Sequence, residues 1–241
     1  MTNPPTKRKA GARPPGRPPK TSREQIVACA IAILEREPDA GISINRIARE
    51  LKVAPMALYN YFSSRDELLQ VVTEQMMAEL EIPALSDASW RERISAWAHA
   101  VRAHFQYYPH LIHLLTWEGH ASVAWLKQSA PMIDALVDGG LRGDDLTRAT
   151  LWLWSAIMGA IHNELSERVS ERAISAEDLQ RLDEPLRGRM RALQRFAARK
   201  THYDESFQYS LDRVLDALEL VLSATADGAN GNPSHSPSKR R

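Results

Sequence analysis

Ser43, Asn45, Met56, Ala57, Tyr59, Asn60, Tyr61 and Arg65 bring hydroxyl, amide, thioether, methyl and guanidinium groups into one short stretch of the chain. These groups make the non-covalent donor, acceptor and apolar contacts by which side chains meet a DNA duplex. Their spacing points the same way. Ser43 is placed to cap a helix whose apolar positions Ile44, Ile47, Ala48 and Leu51 fall at i, i+3, i+4 and i+7. A turn follows at Lys52-Val53-Ala54, and Pro55 suits the first position of the next helix. In that helix Leu58 and Phe62 share one face, so Met56, Ala57, Tyr59, Asn60 and Tyr61 are spread around the rest. Ser64 caps a further helix, with Glu67 three residues on at capping-box spacing. Helix, tight turn and a short helix with polar and aromatic side chains to spare predict a helix-turn-helix DNA reader.

The rest of the chain must hold that reader. At 241 residues, 44% hydrophobic and 25% charged, it is long enough for one or two domains with a real core. Gly and Pro are scarce between residues 22 and 225 and β-branched alternation is absent, so the expected fold is all-α. A first helix should run from Ser22 to about Glu37, with Ile26, Ala30, Ile33 and Leu34 inward, stopped by Pro38, Asp39 and Gly41. The helix after Ser64 should end before Pro83. Trp90, Ile94, Trp97, Ala98, Val101, Phe105 and Tyr108 line one face of a helix over 90–108. Shorter helices are expected near 110–118 and 121–137, then a break at Gly139-Gly140 and Gly143. The segment Leu146–Val169 leaves almost no polar face and must be covered on more than one side, by the body and by a partner subunit. Residues 170–204 read as a loop and a basic helix. A last helix from about Asp204 to Ala224 carries Phe207, Leu211, Val214, Leu215, Leu218, Val221 and Leu222.

The predicted organisation is a disordered basic arm (1–21), a three-helix reader (22–68), a helical body (69–225) and a polar tail (226–241). Charge follows it: residues 1–65 carry a net +7 and the remainder −6. A basic amino-terminal module on an acidic body is the electrostatic outline of a DNA-binding protein. Pro14-Pro15-Gly16-Arg17-Pro18-Pro19-Lys20 resembles the Gly-Arg-Pro core by which short arms enter A·T-rich minor grooves, with Arg17 as its contact. Read without that likeness, the arm is a solvated tail adding phosphate attraction. Cys29 is the only cysteine, which excludes an intramolecular disulfide and suits a reducing cytoplasm. No Walker loop, nucleophile elbow, zinc-hydrolase motif or dinucleotide fingerprint occurs, so neither catalytic residues, metal nor cofactor is expected.

Ile47-Ala48, Leu51, Val53, Ala57-Leu58-Tyr59, Tyr61-Phe62 and Asp66-Glu67-Leu68-Leu69 together resemble the tetracycline-repressor (TetR) family of transcriptional regulators. The likeness is strongest over residues 22–72. It implies that Asn45 meets adenine or a phosphate, that Met56 and Ala57 touch thymine methyls, and that Tyr59 and Tyr61 donate to phosphates. Pro55, Asn60, Arg65 and Ser43 complete the contact set, although one tyrosine of the pair could instead pack on Leu58 and Phe62. It further implies a homodimer through 146–169 and 204–224 on a palindromic operator, and a small-molecule effector in the body. For a hydrophobic or aromatic effector, the lining would be Trp97, His104, Phe105, His113, Trp117, Trp154, Met158 and His162, with Asn163 as polar anchor. The body carries no match to a tetracycline–magnesium pocket. The competing reading is an architectural DNA-binding protein with no effector and a solidly packed body.

Overall fold

The structure is a computed structural model, described for residues 21–37, 42–112, 114, 123–169 and 175–230. Among these residues every regular element is a helix, as the periodicity predicts. Three of them form the head. Ser22 starts α1 (Arg23–Arg36) with a complete capping box to Gln25, and Ile26, Ala30, Ile33 and Leu34 are buried as expected. Ser43 caps α2 (Ile44–Glu50) by accepting from the Arg46 amide at 3.2 Å. The chain then reverses at Lys52, whose φ of 54° lies in the left-handed region that a side chain resists. That turn delivers Pro55 to the first turn of α3 (Pro55–Leu58), which is a single turn of helix. Leu58 and Phe62 anchor it in the core with Ile26, Ile47 and Leu68.

A longer helix, α4 (Arg65–Ala78), packs on α1 and on the body helix α6 (Val123–Asp138). The body also contains α5 (Trp90–Tyr107), α7 (Gly143–Val169) and α10 (His202–Asn230), with α8 (Ala176–Gln180) and α9 (Glu184–Ala197) inserted before the last. The break between α6 and α7 falls on the three glycines. Gly140 takes φ 106° and Gly143 φ 54°, while a Cβ on Gly139 would press on the Leu222 methyls at 3.1 Å. Pro131 sits inside α6 without ending it.

The end of the last helix differs from expectation. The last helix runs through Asn230, past the expected end at Ala224 and into the segment assigned to a polar tail. Ala224, Ala226 and Ala229 are strong helix formers, and no proline intervenes before Pro233. The short helix expected near 110–118 lies largely outside the described residues.

No helix among the described residues is long and apolar enough to cross a membrane. Cys29 is half-buried, and burial pushes its thiol above the ordinary range, away from the thiolate a redox centre needs.

Candidate nucleic-acid interface

The burial pattern sorts the reader's side chains into those that hold and those that face out. Leu58 and Phe62 are enclosed, whereas Met56 is 73% exposed and Tyr59 46% exposed. Ser43, Asn45, Pro55, Asn60 and Arg65 are exposed as well, and Ala57 is half-buried. One turn of helix therefore presents a thioether and a phenol to solvent from an apolar base, an arrangement that folding alone does not need. Asn45 and Arg49 are four residues apart on α2, so they share a face, and both are exposed. Sequence reasoning counted Arg49 only as charge. The Arg65 guanidinium lies 3.4 Å from the Ile42 carbonyl, which draws that side chain toward the start of α2.

Tyr61 departs from its expected role. Its hydroxyl donates to the Thr21 carbonyl at 2.6 Å and its ring packs on the core, so the proton expected for a phosphate is already committed. The residue ties the start of α1 to the end of α3. Arg23 makes the same junction from the other side: it donates to the Tyr61 carbonyl at 2.7 Å and to Glu67 at 2.9 Å, and lies 4.3 Å from the Phe62 ring centre. Nothing in the local pattern marked Arg23, because its partners are some forty residues away in sequence.

Glu67 departs slightly from a reciprocal box. Its amide donates to Ser64 Oγ at 3.0 Å, but its carboxylate accepts from the amide and hydroxyl of Ser63 at 2.6 and 2.7 Å. The Ser63 amide first, then the Ser63 hydroxyl and Arg23, hold its pKa at about 2, below the ordinary 4.5. A folded-state pKa below the unfolded one contributes stability that is fully present above about pH 4.5 and is lost as pH falls toward 2. Acid titration followed by Tyr61 or Ser63 amide resonances should show the reader loosening in that window. A Glu67→Gln variant should lose most of the acid sensitivity, and an unchanged profile would refute the assignment.

In the body, four aromatic rings meet. Trp125 lies 6.5 Å from Trp97, 6.2 Å from Phe105 and 4.9 Å from Trp154. Trp97 and Phe105 are fully enclosed, and the indole of Trp97 donates to the Gln128 carbonyl at 2.9 Å. The expected lining thus converges on Trp97, Phe105 and Trp154, with Met158 half-buried beside the core, but these rings chiefly fill one another's space. Trp125 joins them unforeseen. Asn163 does not join them. Nine residues after Trp154 on one helix, it stands roughly half a turn away and about 13 Å along the axis. It instead lines a cleft of 210 Å³ with Glu164, Tyr203, Ser206 and Phe207 between α7 and α10. His162 is exposed, 3.4 Å from Ser166. His113, Trp117 and Arg17 lie outside the described residues.

His104 stands where body meets head. Burial lowers its pKa, so the ring is neutral near pH 7, and it bonds the Met76 backbone in the last turn of α4. Its Nε2 is enclosed without a partner. Tyr108, on the same helix end, donates to Glu79 at 2.7 Å and lies 3.3 Å from Glu35. Burial first, then Glu79, push this phenol far above its ordinary range, so it remains a donor.

Residues 26–72 match the amino-terminal domain of bacterial regulatory proteins of the tetR family, and residues 82–222 match the tetracyclin repressor-like carboxy-terminal domain. The chain belongs to the TetR family. It is therefore a transcriptional regulator with a helix-turn-helix DNA-binding head. It is 25% identical over 224 residues to the transcriptional repressor DrrR1 of Streptomyces coeruleorubidus, covering 88% of this chain and 83% of that one. Among solved structures it resembles the TetR family protein ActR of Streptomyces coelicolor in complex with actinorhodin, with a TM-score of 0.65 and 21% identity over 82% of this chain and 95% of that one. It also resembles BioQ bound to its double-stranded DNA operator, with a TM-score of 0.60 and 22% identity over 82% and 98% of the two chains. Both likenesses concern the fold.

Proposed function

We propose that this TetR-family regulator is a repressor that binds a palindromic operator as a homodimer and is controlled by a small hydrophobic effector held in its body. The observation that carries the DNA half is the exposed Met56–Tyr59 turn, on a head preceded by an arm whose sequence holds six Lys or Arg and no acid over residues 1–21. Asn45 on α2 and Ser43 at its start would flank that turn, and Arg65 would reach the backbone from α4. The head has few strong base-reading groups: no Arg, Gln or Lys lies between Ala54 and Ser64. Direct readout is therefore modest, and DNA shape and the arm containing Arg17 supply part of the specificity.

Homodimerisation rests on apolar surface that the protomer leaves uncovered. Leu151 and Trp152 on α7 are 59% and 40% exposed, and Leu220 and Val221 on α10 are 73% and 40% exposed. α7 and α10 pack side by side, so these residues offer a self-complementary helical face to a second copy. Effector control is supported by the cluster of Trp97, Phe105, Trp125 and Trp154, with the enclosed, unpartnered Nε2 of His104 on a ring 6.4 Å from Phe105, and by the complex of ActR with actinorhodin. The chain's own effector would be aromatic or hydrophobic, as the lining demands.

Sequencing genomic fragments recovered by the purified protein at physiological salt tests this reading. A single enriched palindrome establishes a specific dimeric regulator, whereas diffuse binding without a shared motif would favour an architectural role. Removing residues 1–20 should lower affinity and flatten its dependence on salt, because fewer counterions are released on binding. An unaltered slope of log K against log salt would mean that the arm does not touch DNA.

A further inference from the structure

Directional polar ties join α4 to the body. Glu74, in the third turn of α4, accepts with one carboxylate oxygen from the Val123 amide and with the other from the Ala124 amide, both at 2.9 Å. Val123 and Ala124 are the first residues of the sixteen-residue helix α6, whose opening amides lack partners within their own helix. A carboxylate there gains from the helix dipole as well as from two hydrogen bonds. One turn further along α4, Gln128 of the same helix donates to the Met77 carbonyl at 3.4 Å. At the end of α4, Glu79 accepts the Tyr108 hydroxyl at 2.7 Å, and that hydroxyl also lies 3.3 Å from Glu35 at the end of α1.

We infer that Glu74 and Tyr108 are positioning residues that set the angle of α4 on the body, and with it the separation of the two readers on DNA. The inference rests on the homodimeric, operator-binding reading above.

The other enclosed side chains in the last turn of α4, Met76 and Met77, are apolar, as is Leu80 just past its end. Contacts of this kind hold a helix at a distance but resist sliding and rocking weakly, since dispersion and burial have little direction. A bidentate carboxylate on two successive amides does fix direction, and a phenol shared between the ends of α4 and α1 fixes the far end. The lever arm makes the effect measurable. From Glu74 back to the start of α4 at Arg65 is about 13 Å at 1.5 Å per residue, so a rocking of about 10° displaces each reader by roughly 2 Å. In a two-fold dimer the displacements add, to a change on the order of one base-pair rise of 3.4 Å. Neither residue is in the expected DNA-contacting set, and both are remote in sequence from the reader's exposed turn.

The test uses the full chain and duplexes carrying the selected palindrome with its half-sites separated by the native spacing, or by one base pair more or fewer. The wild-type protein should prefer the native spacing by about tenfold or more. Glu74→Gln and Tyr108→Phe should each flatten that preference to within about threefold, while helicity and melting temperature change little. A purely structural role would lower affinity for all three duplexes in parallel, and parallel loss with an unchanged spacing preference would overturn the inference. Should Glu74→Gln fail to fold, Tyr108→Phe alone decides, since it removes one oxygen from a site that keeps its ring contacts. A wild-type protein indifferent to spacing would overturn the dimeric operator reading itself, an outcome visible before any variant is made.

Discussion

Replacing Glu164 with alanine should lower the unfolding free energy by about 3–5 kcal/mol, the cost of leaving a buried charge without its partner. Glu164 and Arg102 are both nearly enclosed, 6% and 8% exposed, between α5 and α7. Their pairing is two-pronged, Nε to Oε2 at 2.8 Å and one terminal nitrogen to Oε1 at 3.2 Å, and Gln106 adds a donor to Oε1 at 2.7 Å. With the carboxylate gone, Arg102 keeps Asp204 at 2.7 Å and the face of Phe207 at 4.7 Å. The Asp204 side chain is 73% exposed, so water screens it and it replaces little of what is lost. Urea unfolding reads the effect directly. A paired Arg102→Met, Glu164→Leu variant should recover most of the loss, because an apolar pair of similar volume has no desolvation to offset. A loss below about 1 kcal/mol in the single variant would show that water reaches Arg102 and that the pair is not truly interior.

Tyr59→Ala should weaken operator binding by about ten- to a hundredfold with the dimer intact, whereas Tyr61→Phe should leave affinity within about threefold. The two tyrosines are close in sequence and alike in chemistry, and they separate only in three dimensions. Tyr59 is exposed at the end of α3, so its hydroxyl can reach a phosphate, and a hydrogen bond to a charged group contributes about 1.5–3 kcal/mol. Tyr61 spends its proton on the Thr21 carbonyl, a neutral bond contributing about 0.5–1.5 kcal/mol to the head's stability. Fluorescence anisotropy on a labelled operator and thermal unfolding should therefore give opposite rankings for the pair. If Tyr61→Phe proved the weaker DNA binder and Tyr59→Ala bound normally, the orientation proposed for the reader would be wrong.

Much of this molecule was legible in the chain because its determinants are local. Ser43 and Ser64 cap the helices they were expected to cap, since a cap needs only its own side chain and an amide three residues on. The apolar spacing of Trp90 to Tyr108 becomes the buried face of α5 for the same reason. The glycine break at 139–143 appears where expected, because positive φ is a property of single residues. Leu58 and Phe62 fill the reader's core as expected, although α3 ends at Leu58 and the Phe62 amide reaches back to the Leu58 carbonyl at 3.1 Å from beyond it.

What the sequence left open depends on partners far along the chain. Whether Tyr59 or Tyr61 faces out turns on Thr21 and Arg23, supplied by α1. The carboxylate of Glu67 went to Ser63 and Arg23 rather than closing a box on Ser64, a choice between acceptor geometries that spacing cannot rank. Asn163 was grouped with the tryptophans by its chemistry, yet helical rotation carries it to a different face of α7. Glu74 had no distinguishing signal at all, since a carboxylate in the middle of a helix reads as a solvated charge until another helix is seen to begin against it.

By itself, then, the sequence determined the helices, most of their caps and breaks, the charge division between the amino-terminal 65 residues and the remainder, and membership in a DNA-reading family. These follow from backbone preferences and periodicity within a few residues. The tertiary structure alone decided which polar side chains are spent on the fold and which remain for a ligand. That allocation is made between elements, because a donor or acceptor is free only when no distant segment has claimed it.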